Sequence, residues 1–347
     1  MIRRCTEDAV FCRRVVDCVV PVLCLSLVVV WELTCPLAVM DSLLQRLATC
    51  VAFLLAAAWL LAGVRRGSVR ELRQVRAVAR AAQDVLLRPL PPRIDGLALA
   101  ARQLSVARGA EVGGDLYEVV ATPHGVRIVI GDVKGHGLGA IGAVAAVLGS
   151  FREAAYDEAE LAGVLRRLDR AHQRHLASLG TPCPPAEEFV TVLLLEIGAD
   201  DAIAALNCGH PWPYRLGGGA RPLAEGAPLP PMGAVPLPAE LAPRRCGTLL
   251  PGEALFLHTD GATDARDGSG HFFGLVDVLA AAAADAPVSP AAVVRRVHGA
   301  LLRHTRGRVT DDVALLVLRN DRSRVPAQSA GPDAGRDRQG PSRREAV

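Results

Sequence analysis

Four stretches of this 347-residue chain place aspartates against apolar runs. "VGGDLYEVV" sets Asp115 after two glycines, and "IVIGDVKGHG" ends an apolar run on Asp132. "LFLHTDGATDAR" ends another on Asp260, and "VTDDVALLVL" opens one with Asp311 and Asp312. A carboxylate at the rim of an apolar strand is half desolvated and stays ionised only with a compensating partner. Several such groups at one rim repel each other unless a cation sits among them. Ligation by oxygen alone selects hard ions, Mg2+ or Mn2+, which keep waters in their shell. A lone Asp-Gly is more often a turn or a cap. Four such sites, each at a strand edge, weaken that reading.

The residues around Asp132 fit the same chemistry. An apolar strand holds the carboxylate, and Gly135, Gly137 and Gly139 then allow a tight turn and close backbone approach to a hydrated metal or a phosphate. His136, inside that turn, has two readings: a group that orients a water or protonates a leaving alkoxide, and a structural histidine bonding the loop. The structural one is preferred. His210, in "NCGHPWP", reads as structural, and His172 and His175 read as a solvated helix face. His258 lies beside the Asp260 motif and is the histidine to watch.

These groups need a frame. Apolar, β-rich runs predict strands over 97–104, 116–121, 126–131, 189–197, 202–207, 246–249, 254–259 and 313–318. Ala- and Leu-rich runs predict helices over 138–155, 159–178, 275–284 and 290–303. The helices come in two pairs with strands grouped between them, which is not the alternation of a parallel sheet. It implies antiparallel sheets with helices packed outside. Residues 217–245, rich in Gly and Pro, predict an extended loop.

Upstream, 15–33 and 45–64 predict a membrane hairpin occupying residues 1–66. Arg3, Arg4, Arg13 and Arg14 precede it, and Arg65, Arg66, Arg70, Arg73 and Arg76 follow it. Positive-inside logic puts both ends, and everything after residue 66, in the cytoplasm, with lipid as a partner. Within the 67–93 linker, Leu72, Val75, Ala79, Ala82 and Leu86 form one apolar helical stripe, closed by "RPLPP". Two readings of this 67–88 helix stay open, a homodimer seam and a spacer. Residues 321–347 are polar and predict a disordered tail after a 94–320 domain. The net charge of +3 gives no argument for a nucleic-acid partner. None of the nine cysteines forms a CxxC pair, so a zinc site or disulfide framework is not expected.

The ordered motifs VGGD, GDVxGHG, "CGHPWPYRL", "HTDGATDAR" and "TDDVALLVL" resemble the SpoIIE-type branch of the PPM metal-dependent, type 2C serine/threonine phosphatases, over residues 94–319. The resemblance implies an α+β fold, a PPM-type sandwich of two antiparallel sheets flanked by helices. It implies two Mn2+ or Mg2+ ions held by Asp115, Asp132, the backbone carbonyl of Val133, Asp260 and Asp311. Asp312 and Gly114 would support that shell, and Arg108 is the foremost candidate to grip the substrate phosphate. A metal-activated water is the implied nucleophile, so no catalytic Ser or Cys is needed. The implied substrate is a phosphorylated cytoplasmic regulatory protein, such as an anti-sigma-factor antagonist. The alternative is a phosphatase-like regulator that binds a phosphoprotein without turnover; the intact carboxylates count against it. Ala314 departs from the pattern, since the family often carries Thr there, and the missing hydroxyl predicts a weakened bond behind the ligands.

Overall fold

The computed structural model describes residues 86–104, 113–134, 138–179, 189–284 and 287–322, together with part of 51–63. Among the described residues, eleven strands form two antiparallel sheets. The first runs in the order β1 (Arg93–Ile94), β2 (Leu97–Leu104), β11 (Val313–Asn320), β10 (Ala254–His258), β7 (Tyr214–Leu216), β8 (Ala220–Pro222). The second runs β3 (Asp115–Thr122), β4 (Gly125–Val133), β5 (Val190–Ile197), β6 (Ala202–Cys208), β9 (Arg244–Thr248). Helices α1 (Leu138–Asp157) and α2 (Leu161–Ser178) cover the second sheet; α3 (Leu275–Ala282) and α4 (Pro290–His304) cover the first.

The period of two along each strand builds this four-layer stack. On β4, Ile128 and Ile130 face the first sheet, where with Leu193 and Leu195 of neighbouring β5 they meet Leu257 and Leu316. Val129, between them, faces the helices and joins Phe151 and Leu165. On β11 the same alternation sends Leu316 and Leu318 inward, while Leu315 and Val317 pack against Val297 and Leu301 of α4. Strands buried on both faces must be apolar throughout, which is why they read as unbroken runs. Each fully buried Leu or Ile contributes about 1.5–3 kcal/mol.

Arg127 is the exception in β4, fully buried among apolar neighbours. Its guanidinium donates to Glu196 at 2.7 Å and to the carbonyls of Ala155, Glu158 and Ala159. It closes the C-terminal end of α1, where orphan carbonyls and the helix dipole both favour a cation.

The eight predicted strands and four predicted helices are all present, with ends displaced by up to two residues. The 217–245 loop needs correction: it contains β8 and the start of β9, and β7 lies just before it. β7 and β8, three residues each, are too short for a periodic pattern to register, and β9 begins two residues before the predicted 246–249. His172 and His175 also need correction. His172 is buried under α2, and the His175 ring packs against Gly142 of α1. The apolar stripe of α2 is wide enough to carry both imidazoles onto the protein. Among the described residues no helix is long and apolar enough to cross a membrane. The expected spans lie outside the described residues except within 51–63, as does the linker up to residue 85, the tail from 323, Arg108 and His136.

Candidate metal centre

The strand ladder brings the first two carboxylates together. Asp115 opens β3 and Asp132 stands directly opposite it on β4. Facing residues of an antiparallel pair share one side of the sheet. Asp260 follows β10 and begins a one-turn 3-10 helix, Asp260–Ala262. Its carbonyl accepts from the Thr263 and Asp264 amides at 2.8 Å each, which pins the turn. Asp311 and Asp312 lead into β11, beside β10. Both sheets thus end at one rim, and chain segments far apart in sequence deliver acids to it.

The glycines before Asp115 are required by close approach. A methyl group on Gly114 would overlap the Val133 carbonyl oxygen and come within 2.7 Å of Asp132 Oδ1. That carbonyl and that carboxylate therefore flank the same point. On Gly113 it would run into the carboxylate of Asp312, which places Asp312 beside the VGGD turn. The Val133 amide donates to the Gly114 carbonyl at 3.1 Å, locking the two segments. Asp311 is exposed and accepts from the Asp312 amide at 2.8 Å.

The electrostatics are those of crowded anions. Burial, then Asp132 and Asp312, push the Asp115 carboxyl well above the ordinary carboxylate range, and the Thr259 hydroxyl eases it back. Burial followed by Asp260, Asp311 and Asp312 pushes Asp132 up to about 7. Asp260 is raised by burial and by Asp311 and Asp264. Mutual influence of this kind shows that the five groups share one field. Asp115 Oδ1 is buried and has no hydrogen-bond partner, while Oδ2 accepts from Thr259 Oγ1 at 3.1 Å. Among the described residues, no three acidic, His or Cys side chains stand close enough to enclose one ion by themselves. Lys134, the chain's only lysine, follows Val133 and holds its Nζ 4.9 Å from the Phe189 ring centroid.

The donor set is all oxygen, it is anionic, and it includes an orphaned buried carboxylate oxygen. Those features fit hard divalent cations that retain part of their water. The histidines around the rim do not compete for this role. His258 is buried, stacked on Tyr214 at 5.8 Å, and bonded to the Thr259 carbonyl at 3.0 Å. Burial lowers it to about 4, so its ring is neutral. His210 is likewise lowered to about 3 by burial and by His258. Its Nδ1 lies 3.1 Å from Thr191 Oγ1, and Asn207 brackets its backbone. Thr259 escapes the motif reading altogether. The missing hydroxyl at Ala314 was the available signal, because the Ala314 amide donates instead to Thr259 Oγ1 at 2.8 Å.

The family model described as stage II sporulation protein E (SpoIIE) matches residues 122–321. That stretch contains Asp132, Asp260, Asp311 and Asp312, and begins just after Asp115. Three solved structures share the fold. The RsbU and RsbW domains of a Mycobacterium tuberculosis protein align at 24% identity and TM-score 0.53, over 65% of this chain and 60% of that one. The SiaA-PP2C domain of Pseudomonas aeruginosa aligns at 19% and 0.54, over 74% of this chain and 98% of that one. The PP2C phosphatase domain of SpoIIE from Bacillus subtilis, with a fragment of its regulatory domain, aligns at 15% and 0.51, over 64% and 63%. The chain therefore spans less than two thirds of the length of the mycobacterial and Bacillus proteins.

Proposed function

The chain belongs to the stage II sporulation protein E (SpoIIE) family of PPM-type serine/threonine phosphatases, and from that premise we propose that it is a membrane-tethered, metal-dependent enzyme that removes phosphate from phosphoserine or phosphothreonine on a cytoplasmic regulatory protein. One observation carries the reading. Asp115, Asp132, Asp260, Asp311 and Asp312 converge on one rim, where burial and then acidic neighbours raise Asp115, Asp132 and Asp260, an arrangement that costs stability unless a cation compensates it.

Asp115, Asp132, the Val133 carbonyl, Asp260 and Asp311 would hold two Mn2+ or Mg2+ ions, partly through retained waters. Held there, divalent cations would supply a water of lowered pKa and neutralisation of charge on the phosphoryl oxygens. The protein's own contribution is rigidity. The β3–β4 ladder fixes the spacing of Asp115 and Asp132, the 3-10 turn fixes Asp260, and the glycines keep side chains out of the approach. In the reaction, a water oxygen bonds to phosphorus as the ester P–O bond breaks. The serine or threonine oxygen leaves and takes up a proton. Asp312, against Gly113, supports the ligand arrangement from behind. Arg108, upstream of VGGD, would grip the phosphate, and His136 would bond the glycine turn.

A phosphorylated anti-sigma-factor antagonist is the proposed substrate, which follows from the family. The arginine asymmetry about residues 15–64 supports a hairpin with both ends in the cytoplasm. The full chain, purified in detergent, should hydrolyse a generic phosphomonoester and a phosphoserine protein only with Mn2+ or Mg2+, and should fractionate with membranes. Tight phosphoprotein binding without turnover at saturating Mn2+ would instead establish the non-catalytic regulator.

A further inference from the structure

The order of hydrogen bonds changes where β10 leaves its partner. His258 pairs with Leu315 in a regular antiparallel register, so Thr259 and Ala314 are the next pair in line. The Thr259 amide donates to the Ala314 carbonyl at 3.2 Å, as a ladder requires. The return bond is not made by backbone. The Ala314 amide donates to the Thr259 hydroxyl at 2.8 Å, while the Thr259 carbonyl is engaged by the His258 ring at 3.0 Å. An oxygen that accepts from an amide must place its own proton elsewhere. Thr259 Oγ1 places it on Asp115 Oδ2 at 3.1 Å.

Thr259 is fully buried and Asp115 nearly so. Thr259 directly follows β10 of the first sheet, and Asp115 opens β3 of the second. The relay Ala314 amide, Thr259 hydroxyl, Asp115 carboxylate is therefore a polar bond between the two sheets at the rim. It occupies Oδ2 and leaves Oδ1 without a hydrogen-bond partner.

We propose that Thr259 is a positioning residue for Asp115: its hydroxyl fixes one carboxylate oxygen across the sheet interface and so sets aside the other for the cation. The proposal rests on Asp115 being a ligand, as read above. It also explains how the chain tolerates Ala at 314. The hydroxyl that would steady the ligands from β11 is supplied from β10, and β11 contributes only its amide. A buried carboxylate without this donor would rotate freely, and supports of ligands typically cost 10- to 100-fold in metal affinity when removed.

The test uses the full chain and reads Mn2+ binding directly, by calorimetry or by the electron paramagnetic resonance of free Mn2+, with turnover measured separately. Thr259→Val keeps the shape and removes the donor. It should weaken Mn2+ binding about 10- to 100-fold and raise the Mn2+ concentration for half-maximal turnover equally. Thr259→Ser should stay within about threefold of the parent, because it keeps the hydroxyl. If the Val variant does not fold, Thr259→Cys against Thr259→Ser makes the same comparison, since a thiol is a weak donor of similar size. Parental Mn2+ affinity in the Val or Cys variant overturns the proposal, as does equal loss in Ser. Asp115→Asn separates the two failures: if it binds Mn2+ like the parent, the ligand assignment itself is wrong.

Discussion

The two ends of the sandwich use the same residue type in opposite ways. At the end formed by the close of β11 and the turns before β2 and β6, aspartates meet arginines. Arg322 donates to Asp95, to Asp201 and to the Gly198 carbonyl, and Arg319 forms a forked pair with Asp321. Asp321 is held below the usual carboxylate range, first by its bond to Arg319. At the other end, where β11 begins and β4 finishes, Asp115, Asp132 and Asp260 are all raised, and acidic neighbours are part of the cause. One end is satisfied by arginines of the chain itself; the other crowds carboxylates together and leaves the buried Asp115 Oδ1 without a hydrogen-bond partner. Local conflict of this kind is what a functional site is expected to retain.

The largest expected effect comes from removing a carboxylate at the strained end. Asp132→Asn or Asp260→Asn should lower Mn2+-dependent turnover by several orders of magnitude, while melting of the metal-free protein stays constant or moves upward, since repulsion is relieved. Unchanged turnover in either variant would remove the basis for contrasting the two ends.

Next in size is a loss of stability from the paired groups. Arg127→Ala strips Glu196 and three carbonyls of their donor in a buried setting, and should cost about 3–5 kcal/mol in denaturant unfolding. Arg322→Ala, at the satisfied end, should cost about 1–3 kcal/mol. Neither should change turnover per folded molecule, and a selective loss of kcat would show that the two ends communicate.

The register at Asp311 and Asp312 sharpens the description of the acidic end. Successive residues on an extended chain point to opposite sides, and it is Asp312 that abuts Gly113. With Asp311 as ligand, Asp311→Asn should all but abolish turnover. Asp312→Asn should cost about 10- to 100-fold and be partly recovered by extra Mn2+. A reversed ranking reassigns the ligand to Asp312.

The smallest effect is on pH dependence. Asp132 moves from 3.8 to about 7 on folding, so it takes up a proton in the folded state. Its contribution to stability is present below the unfolded value and lost as pH rises through the folded one. Without divalent cations, stability should fall between about pH 4 and pH 7 through this group, with Asp115 and Asp260 adding in the same sense. Asp321 works with the opposite sign and loses its contribution as pH falls. Thermal melts with chelator and with excess Mn2+ should diverge increasingly toward neutral pH, and parallel curves would count against cation compensation.

Strands, helices and four acidic motifs were legible because each is written locally. Period-two alternation and unbroken apolar runs mark strands buried on two faces, and Asp beside Gly at the end of a run marks a rim. The order of motifs carried the family, and with it the expectation of two antiparallel sheets. Other features depended on residues distant in sequence. β7 and β8 are held by their neighbours rather than by their own pattern. His172 read as solvated because a helical wheel does not say how deeply a second helix covers it. The partners of Arg127 are equally distant, since three carbonyls at and just after the end of α1 reach it only through the packing of helix on sheet. Thr259 is the clearest case. Nothing in "HTDG" says that its hydroxyl will meet a carboxylate 144 positions earlier in the chain. That contact exists because two sheets, each built from local signals, close face to face and leave one proton with one place to go.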